Sequence, residues 1–293
     1  MNTVLFSKFK NTKIGVVGMG YVGRNLVASL EKLNTEHAFE ICTFNRSTLP
    51  NIKGQTFDYV FNCSGNTGDF KTQIWETVSS NLSVNQFIFE NVTIKRTFVL
   101  LSSSRIYGFT KDSTVEFLET DPLLTSGKSH LDIDFVYNGT KMLTESVALN
   151  FSKNCPYKVI ICRLSNLFGK YTTADLDDST FLKLMLRHAI EKKSFTHTQN
   201  VLDTKGYVYI EDAIDGILLS ATQSKQSGIF NICSGKSYSI KNWLDYLKIS
   251  SDSFKKSAPP MHSIISIKKA QSQLGYVPKY VLDKLTISQI IQL

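Results

Sequence analysis

Residues 13–23, KIGVVGMGYVG, restrict the possible fold more than any other stretch of the chain. A short apolar run of strand character meets Gly18-Met19-Gly20-Tyr21-Val22-Gly23, and apolar residues then recur at helical spacing over 23–33. A strand that turns on glycines into a helix opens a βαβ unit. Each glycine of G-x-G-x-x-G has its own duty there: a tight turn, an approach of backbone N–H groups to a pyrophosphate, and contact of helix on strand. The helix N-terminus favours the anion. Gly18, Gly20, Tyr21, Val22 and Gly23 are therefore candidate dinucleotide contacts, on a helix expected to begin near Arg24.

The same alternation continues down the chain. Strand-like runs occupy 13–18, 40–45, 58–63, 97–102, 158–164 and 228–232, and helical spacing fills 23–33, 74–91 and 137–151. This pattern predicts an α/β fold with a doubly wound, Rossmann-type parallel sheet, because right-handed crossovers place helices on both faces. After Asn166 the pattern loosens, with one helical stretch at 180–191. Residues 1–166 read as the dinucleotide-binding domain, with 206–232 returning to its sheet. Residues 167–205 and 233–293 read as a smaller substrate-binding lobe.

Composition removes several classes of function. No apolar run approaches the roughly 18–20 residues that cross a bilayer, so no membrane partner is expected. The first twelve residues, MNTVLFSKFKNT, lack a signal cleavage pattern, and the protein is expected in the cytoplasm. Five cysteines, an odd count with no C-x-x-C pair, indicate neither a disulfide framework nor a metal site. The net charge of +8 suits phosphate-bearing ligands. The basic residues are scattered and lack interleaved aromatics, which points to nucleotides rather than nucleic acid.

The ends of the next strands refine the dinucleotide reading. Where an acidic residue would bond the ribose of NAD, the chain reads Asn45-Arg46-Ser47. Arg46 would welcome the 2′-phosphate of NADP while Asn45 can bond a ribose hydroxyl, so the cofactor is NADP or NAD, with Arg46 favouring NADP. The third strand ends in Asn62-Cys63-Ser64-Gly65-Asn66, small side chains against which a flat ligand can lie. Cys63 has no basic neighbour in sequence and does not read as a reactive thiol.

The fourth strand delivers Ser102-Ser103-Ser104-Arg105-Ile106-Tyr107-Gly108, and Tyr137 and Lys141 follow four residues apart on a helix. That spacing puts phenol and ammonium on one face, which favours the ionised phenol. A serine from the neighbouring strand end can share the same substrate oxygen.

In this order the motifs resemble the extended short-chain dehydrogenase/reductase family, the nucleotide-sugar epimerases, dehydratases and ketoreductases. Further matches are Glu119-Thr120-Asp121-Pro122, the R-x-x-N-x-x-G of Arg163 to Gly169, the run from Tyr207 to Ala213, Phe230-Asn231-Ile232, and L-G-Y-V-P-K-Y at 274–280. The resemblance implies that Tyr137 is the acid/base and that Lys141 holds the nicotinamide ribose. It makes Ser103, five residues before Gly108, the hydroxyl partner. It places Ser104, Asn166 and Lys205 at the nucleotide-sugar substrate, with Lys205 where the family usually has an arginine for the diphosphate. It also implies a homodimer built on the helices at 74–91 and 137–151.

The chain departs from the family in three places. Segment 46–56 is too short for the usual helix and strand, so the sheet is expected to lose an edge strand and no adenine contact is assigned. Val17 stands where the family's first glycine often sits. Ser104-Arg105 replaces the Asp-Glu of dehydratases, leaving epimerase or ketoreductase, and Arg46 tilts toward the reductase because net reduction draws on NADPH. The alternative is a non-catalytic dinucleotide-sensing protein of the same fold, against which the intact Ser103, Tyr137 and Lys141 argue. Substrate identity is expected to reside in loops 110–134 and 171–204.

Overall fold

Strands covered by helices on both faces must be apolar almost throughout, and KIGVV, TFDYVFN and KVIICRL meet that demand. The computed structural model describes residues 2–65, 73–123, 134–176, 180–192, 200–249 and 259–292. Its first half runs α1 (Asn2–Phe9), β1 (Lys13–Val17), α2 (Tyr21–Leu33), β2 (Glu40–Phe44), β3 (Thr56–Asn62), α3 (Ile74–Asn91), β4 (Thr93–Ser103), β5 (Glu116–Phe117) and α4 (Asp134–Phe151). The second continues with β6 (Lys158–Leu164), β7 (Asn166–Phe168), β8 (Tyr171–Thr172), α5 (Phe181–Ile190), β9 (Thr204–Tyr209), α6 (Ile210–Gln223), β10 (Gly228–Ile232), β11 (Ser237–Ser239), α7 (Ile240–Leu247), β12 (His262–Ile265) and α8 (Lys268–Leu274).

The six runs read from the sequence form one parallel sheet in the order β10-β6-β4-β3-β1-β2. Successive side chains point to opposite faces. Val16, Tyr59, Phe61, Val99, Leu101 and Ile160 enter the core shared with α2 and α6, whereas Val17, Val60, Phe98, Leu100, Val159 and Ile161 enter the core under α3 and α4. β1 pairs with both β2 and β3, so the chain winds outward in both directions from β1. The connections diverge at the carboxyl ends of β1 and β3 and leave a crevice there. The short 45–55 connection holds one 3-10 turn, Leu49–Ile52, and β2 stays at the edge of a six-stranded sheet.

Two features depart from the sequence reading. A first helix that the sequence reading did not include, α1, lays Leu5 and Phe9 into the core, with the Phe9 ring 5.1 Å from that of Tyr59. The second sheet, β11-β9-β12-β5 with β7 on β9, takes in β9, so of segment 206–232 it is α6 and β10 that pack on the large sheet. The tail closes over α6, where Asp212 accepts the N–H groups of Lys279 and Tyr280, each at 2.9 Å. Among the described residues no helix is long and apolar enough to cross a membrane.

Candidate active site

Sterics fix the glycine turn. Gly18 has φ +92°, and a Cβ there would lie 2.5 Å from the backbone nitrogen of Ser64. A Cβ on Gly23 would lie 1.9 Å from the Gly18 carbonyl oxygen, so α2 rests directly on the turn. Gly20 instead faces open space. Two glycines close the turn and the third leaves room for a ligand against the backbone. The helix begins at Tyr21, earlier than expected, and no side chain caps it, which leaves first-turn N–H groups for an anion. The turn opens on a cavity of about 750 Å³. Its walls are Gly18 to Gly20, then Asn45, Arg46 and Leu49 after β2, Cys63 to Gly65 after β3, and Glu76, Ser79, Ser80 and Ser83 of α3. A glycine cradle at the mouth of a space this size fits a dinucleotide.

The β2 end is arranged differently from its sequence reading. Asn45 Oδ1 accepts the N–H groups of Ser47 and Thr48, both at 3.0 Å, and the Ser47 hydroxyl at 2.7 Å, so it holds its own turn. Arg46 Nη2 lies 2.5 Å from Glu76 Oε1, a partner that sequence reasoning missed. At the β3 end, burial pushes the Cys63 thiol up to about 12, which keeps it protonated at neutral pH.

A buried amide ladder joins that strand end to the helices. Asn62 donates to Asn85 Oδ1 at 2.8 Å, Asn85 to the Asn81 carbonyl at 2.8 Å, and Asn81 to Thr140 Oγ1 at 3.0 Å. The Thr144 hydroxyl returns to the Asn81 carbonyl at 3.2 Å. The ladder sets α4 in fixed register with β3.

On α4, Tyr137 and Lys141 are both buried. Lys141 Nζ donates to the Leu101 carbonyl at 3.2 Å, and a Cβ on Gly65 would come within 3.1 Å of that nitrogen. The same Cβ would sit 2.9 Å from Asn81 Oδ1, a buried oxygen with no hydrogen-bond partner among the described residues. Ser103 Oγ accepts the Arg105 N–H at 3.2 Å, and the Arg105 guanidinium lies 5.4 Å from the centroid of the Tyr137 ring. Ser103, Arg105, Tyr137 and Lys141 thus come to the carboxyl ends of β3 and β4, one strand over from the glycine turn, and Ser104 is buried. The sequence showed Arg105 only as a missing carboxylate. Its place over the phenol depends on a 3-10 turn, Ser104–Tyr107, that has no strong sequence signal.

The remaining candidates divide. Asn166 and Lys205 come onto neighbouring strands: Asn166 Nδ2 donates to the Gly206 carbonyl at 2.9 Å, and Lys205 Nζ lies 5.7 Å from the Phe109 ring and 5.9 Å from Phe181. Tyr21 turns away from the cavity, its hydroxyl donating to the Gly169 carbonyl and its ring stacking 4.9 Å from Tyr171. Arg24 adds an ion pair of 2.6 Å to Asp175, so this side of the turn grips segment 169–175. Val22 lines no part of the cavity. Asn66 and loop residues 124–133, 177–179 and 193–199 lie outside the described residues.

Several motifs that carried the resemblance meet in one buried knot. Arg163 donates from Nε and Nη2 to Glu145 at 3.1 and 2.7 Å and from Nη1 to the Tyr107 hydroxyl at 2.7 Å. That hydroxyl donates to Asn231 Oδ1 at 2.8 Å, and the Asn231 N–H reaches Glu119 Oε1 at 2.8 Å. These residues join β6 and β10 to the second sheet.

Known proteins share sequence and fold with this chain. The chain is 26% identical to the dTDP-4-dehydro-6-deoxyglucose reductase of Escherichia coli over 215 residues, 71% of this chain and 64% of that protein's length. MoeE5 in complex with UDP-glucuronic acid and NAD superposes with a TM-score of 0.75 at 17% identity, covering 95% of this chain and 97% of the other. UDP-glucuronic acid 4-epimerase from Bacillus cereus, with UDP-glucuronic acid and NAD, gives 0.73 at 20% identity and the same coverage. These two share the fold. The family model for NAD dependent epimerases/dehydratases matches residues 14–233, a span that includes both the glycine turn and the Tyr137 helix, and the chain belongs to that family.

Proposed function

We propose that the protein is an NAD(P)-dependent enzyme acting at a ring carbon of a nucleotide sugar, as an epimerase or a ketoreductase. The observation that carries this reading is the buried Tyr137 one turn before the buried Lys141 on α4, with the Lys141 ammonium held on the Leu101 carbonyl and against Gly65 of the cavity wall. A bound nicotinamide supplies the hydride chemistry. The Tyr137 phenolate oxygen takes the proton of the sugar hydroxyl as that carbon is oxidised, and the phenol returns it as the carbon is reduced. Ser103 accepts the Arg105 N–H, which leaves its own proton to donate to the same oxygen. Lys141 has further protons for ribose hydroxyls beyond the one on Leu101. Gly18, Gly20, Ser64 and Gly65 supply backbone to the dinucleotide. The second sheet is the substrate lobe, with Asn166 and Lys205 toward the diphosphate, and the relatives that carry UDP- or dTDP-sugars support that class of substrate.

The outer face of α4 exposes Leu143, Val147 and Phe151, one turn apart, and α3 begins with an exposed Trp75. An apolar stripe of this kind suits an isologous pairing, so the working form is a homodimer through α3 and α4. Five free cysteines suit a reducing compartment, the cytoplasm.

The test is a screen of UDP-, dTDP-, GDP- and CDP-sugars for thermal stabilisation with NAD or NADPH, followed by product analysis. One nucleotide sugar should stabilise the protein further in the presence of a dinucleotide and be converted. Full turnover by a Tyr137→Phe variant would remove Tyr137 from the reaction. Tightly retained NAD after purification marks the epimerase branch, and uptake of NADPH from solution the reductase.

A further inference from the structure

We infer that Glu76, in the first turn of α3, makes the protein select NAD over NADP, by holding Arg46 and by occupying the place of a 2′-phosphate with a carboxylate. The inference rests on the dinucleotide reading of the cavity.

The cavity has a direction. Gly65 and Lys141 lie toward Tyr137 and mark the nicotinamide end, and Gly18 to Gly20 mark the pyrophosphate. The wall formed by Asn45, Arg46 and Leu49 after β2 is then the adenosine end. Glu76 faces this end from across the crevice, its Oε1 2.5 Å from Arg46 Nη2. The pair is exposed, 81% for Arg46 and 39% for Glu76, so as an ion pair it contributes little to stability. Its meaning lies in its position.

Among the described residues lining the cavity, Arg46 is the one cation and Glu76 the one anion. A 2′-phosphate brings nearly two negative charges to that end and needs the guanidinium. Glu76 must then either surrender Arg46 or stand beside a dianion, and both oppose NADP. A free 2′-hydroxyl asks for the reverse: an acceptor. The residue after β2 that would ordinarily supply one is Asn45, whose Oδ1 is committed to Ser47 and Thr48. Glu76 provides a carboxylate from the opposite wall and can accept from the ribose while still paired with Arg46. Read alone, Arg46 points to NADP; read with its partner, it orients the carboxylate that prefers NAD.

Binding tests this without turnover. NAD and NADP would be titrated by calorimetry into the full-length protein, Glu76→Gln and Arg46→Gln, each checked for fold by circular dichroism. The wild type should bind NAD at least about tenfold more tightly than NADP, and Glu76→Gln should raise NADP affinity about tenfold while leaving or weakening that for NAD, as expected from removing one charge beside a phosphate. Arg46→Gln should further weaken NADP. A wild type that prefers NADP, or a preference ratio unmoved by Glu76→Gln, would overturn the selection by Glu76 while leaving the cavity as a dinucleotide site. Binding of neither dinucleotide would overturn the cavity reading and this inference together.

Discussion

Around Arg163 every nitrogen of the guanidinium finds an acceptor in Glu145, Tyr107 or the Glu119 carbonyl, and Asn231 is bonded through both ends of its amide. Around Tyr137 the standard is different. Asn81 Oδ1, Ser102 Oγ and Asn138 Oδ1 are buried with no hydrogen-bond partner among the described residues. Buried polar groups are costly unless paired, so a native chain tolerates such a cluster mainly where something else is to be held. The ion-paired network at Arg163 is closed, although the Ser266 hydroxyl beside it is also unpartnered, and the proposed site keeps two amide acceptors open. Both contain residues that the family resemblance brings forward, and only the bonding pattern separates them.

The sharpest way to break this contrast is to alter one atom in each region. Tyr137→Phe deletes a hydroxyl from the site and should lower turnover about 10²–10⁴-fold, with cofactor affinity and melting temperature nearly unchanged. Glu145→Gln does the reverse. It leaves the Arg163 charge buried with half its partner gone and should cost about 3–5 kcal/mol of unfolding free energy in urea. A joint Arg163→Met/Glu145→Leu variant should recover much of that loss, since an apolar pair of similar volume replaces the ions. A Glu145→Gln variant as stable as the wild type would show that the knot is not structural.

Asp212 sharpens the comparison from between the two cases. Both its oxygens accept backbone N–H groups, yet burial still raises its carboxyl to about 6. The folded value lies above the unfolded one, so the folded state binds the proton more tightly. Stability from this group is therefore gained as pH falls through 6 toward 4 and is absent at pH 7 and above. Relative to Asp212→Asn, the wild type should gain roughly 2 kcal/mol of unfolding free energy between pH 7.5 and 4.5. A pH-independent difference would mean that the two N–H bonds already offset the burial.

Much of the first sheet was legible because parallel strands buried on both faces read as unbroken apolar runs, and because the glycine turn has a steric cause at Gly18 and Gly23 that no other residue satisfies. The second sheet was not, since strands as short as Glu116–Phe117 and Ser237–Ser239 show no period. Helix α1 rests on two apolar anchors one turn apart, Leu5 and Phe9, too few to register as a pattern. The amide ladder did leave a trace: Asn81 and Asn85 lie one turn apart and buried on α3, where apolar residues would suit mere packing. Glu76 left none, for its pairing with Arg46 depends on where α3 is set down after residues 66–72.

Arg105 gives the smallest effect and the finest test of where the site ends. Its guanidinium covers the Tyr137 ring, and its N–H is bonded to Ser103, so it touches both groups proposed to share the sugar oxygen. The backbone bond needs only the residue's N–H and survives any substitution but proline, which isolates the side chain. A cation over an aromatic face is worth about 0.5–2 kcal/mol, so Arg105→Met should lower kcat roughly two- to thirtyfold while the dinucleotide affinity stays within twofold. Arg105→Lys, which keeps the charge and loses the plane, should recover part of the rate. If both variants lose stability in urea and keep their rate, Arg105 belongs with Arg163 among the joints, and the site stops at Ser103.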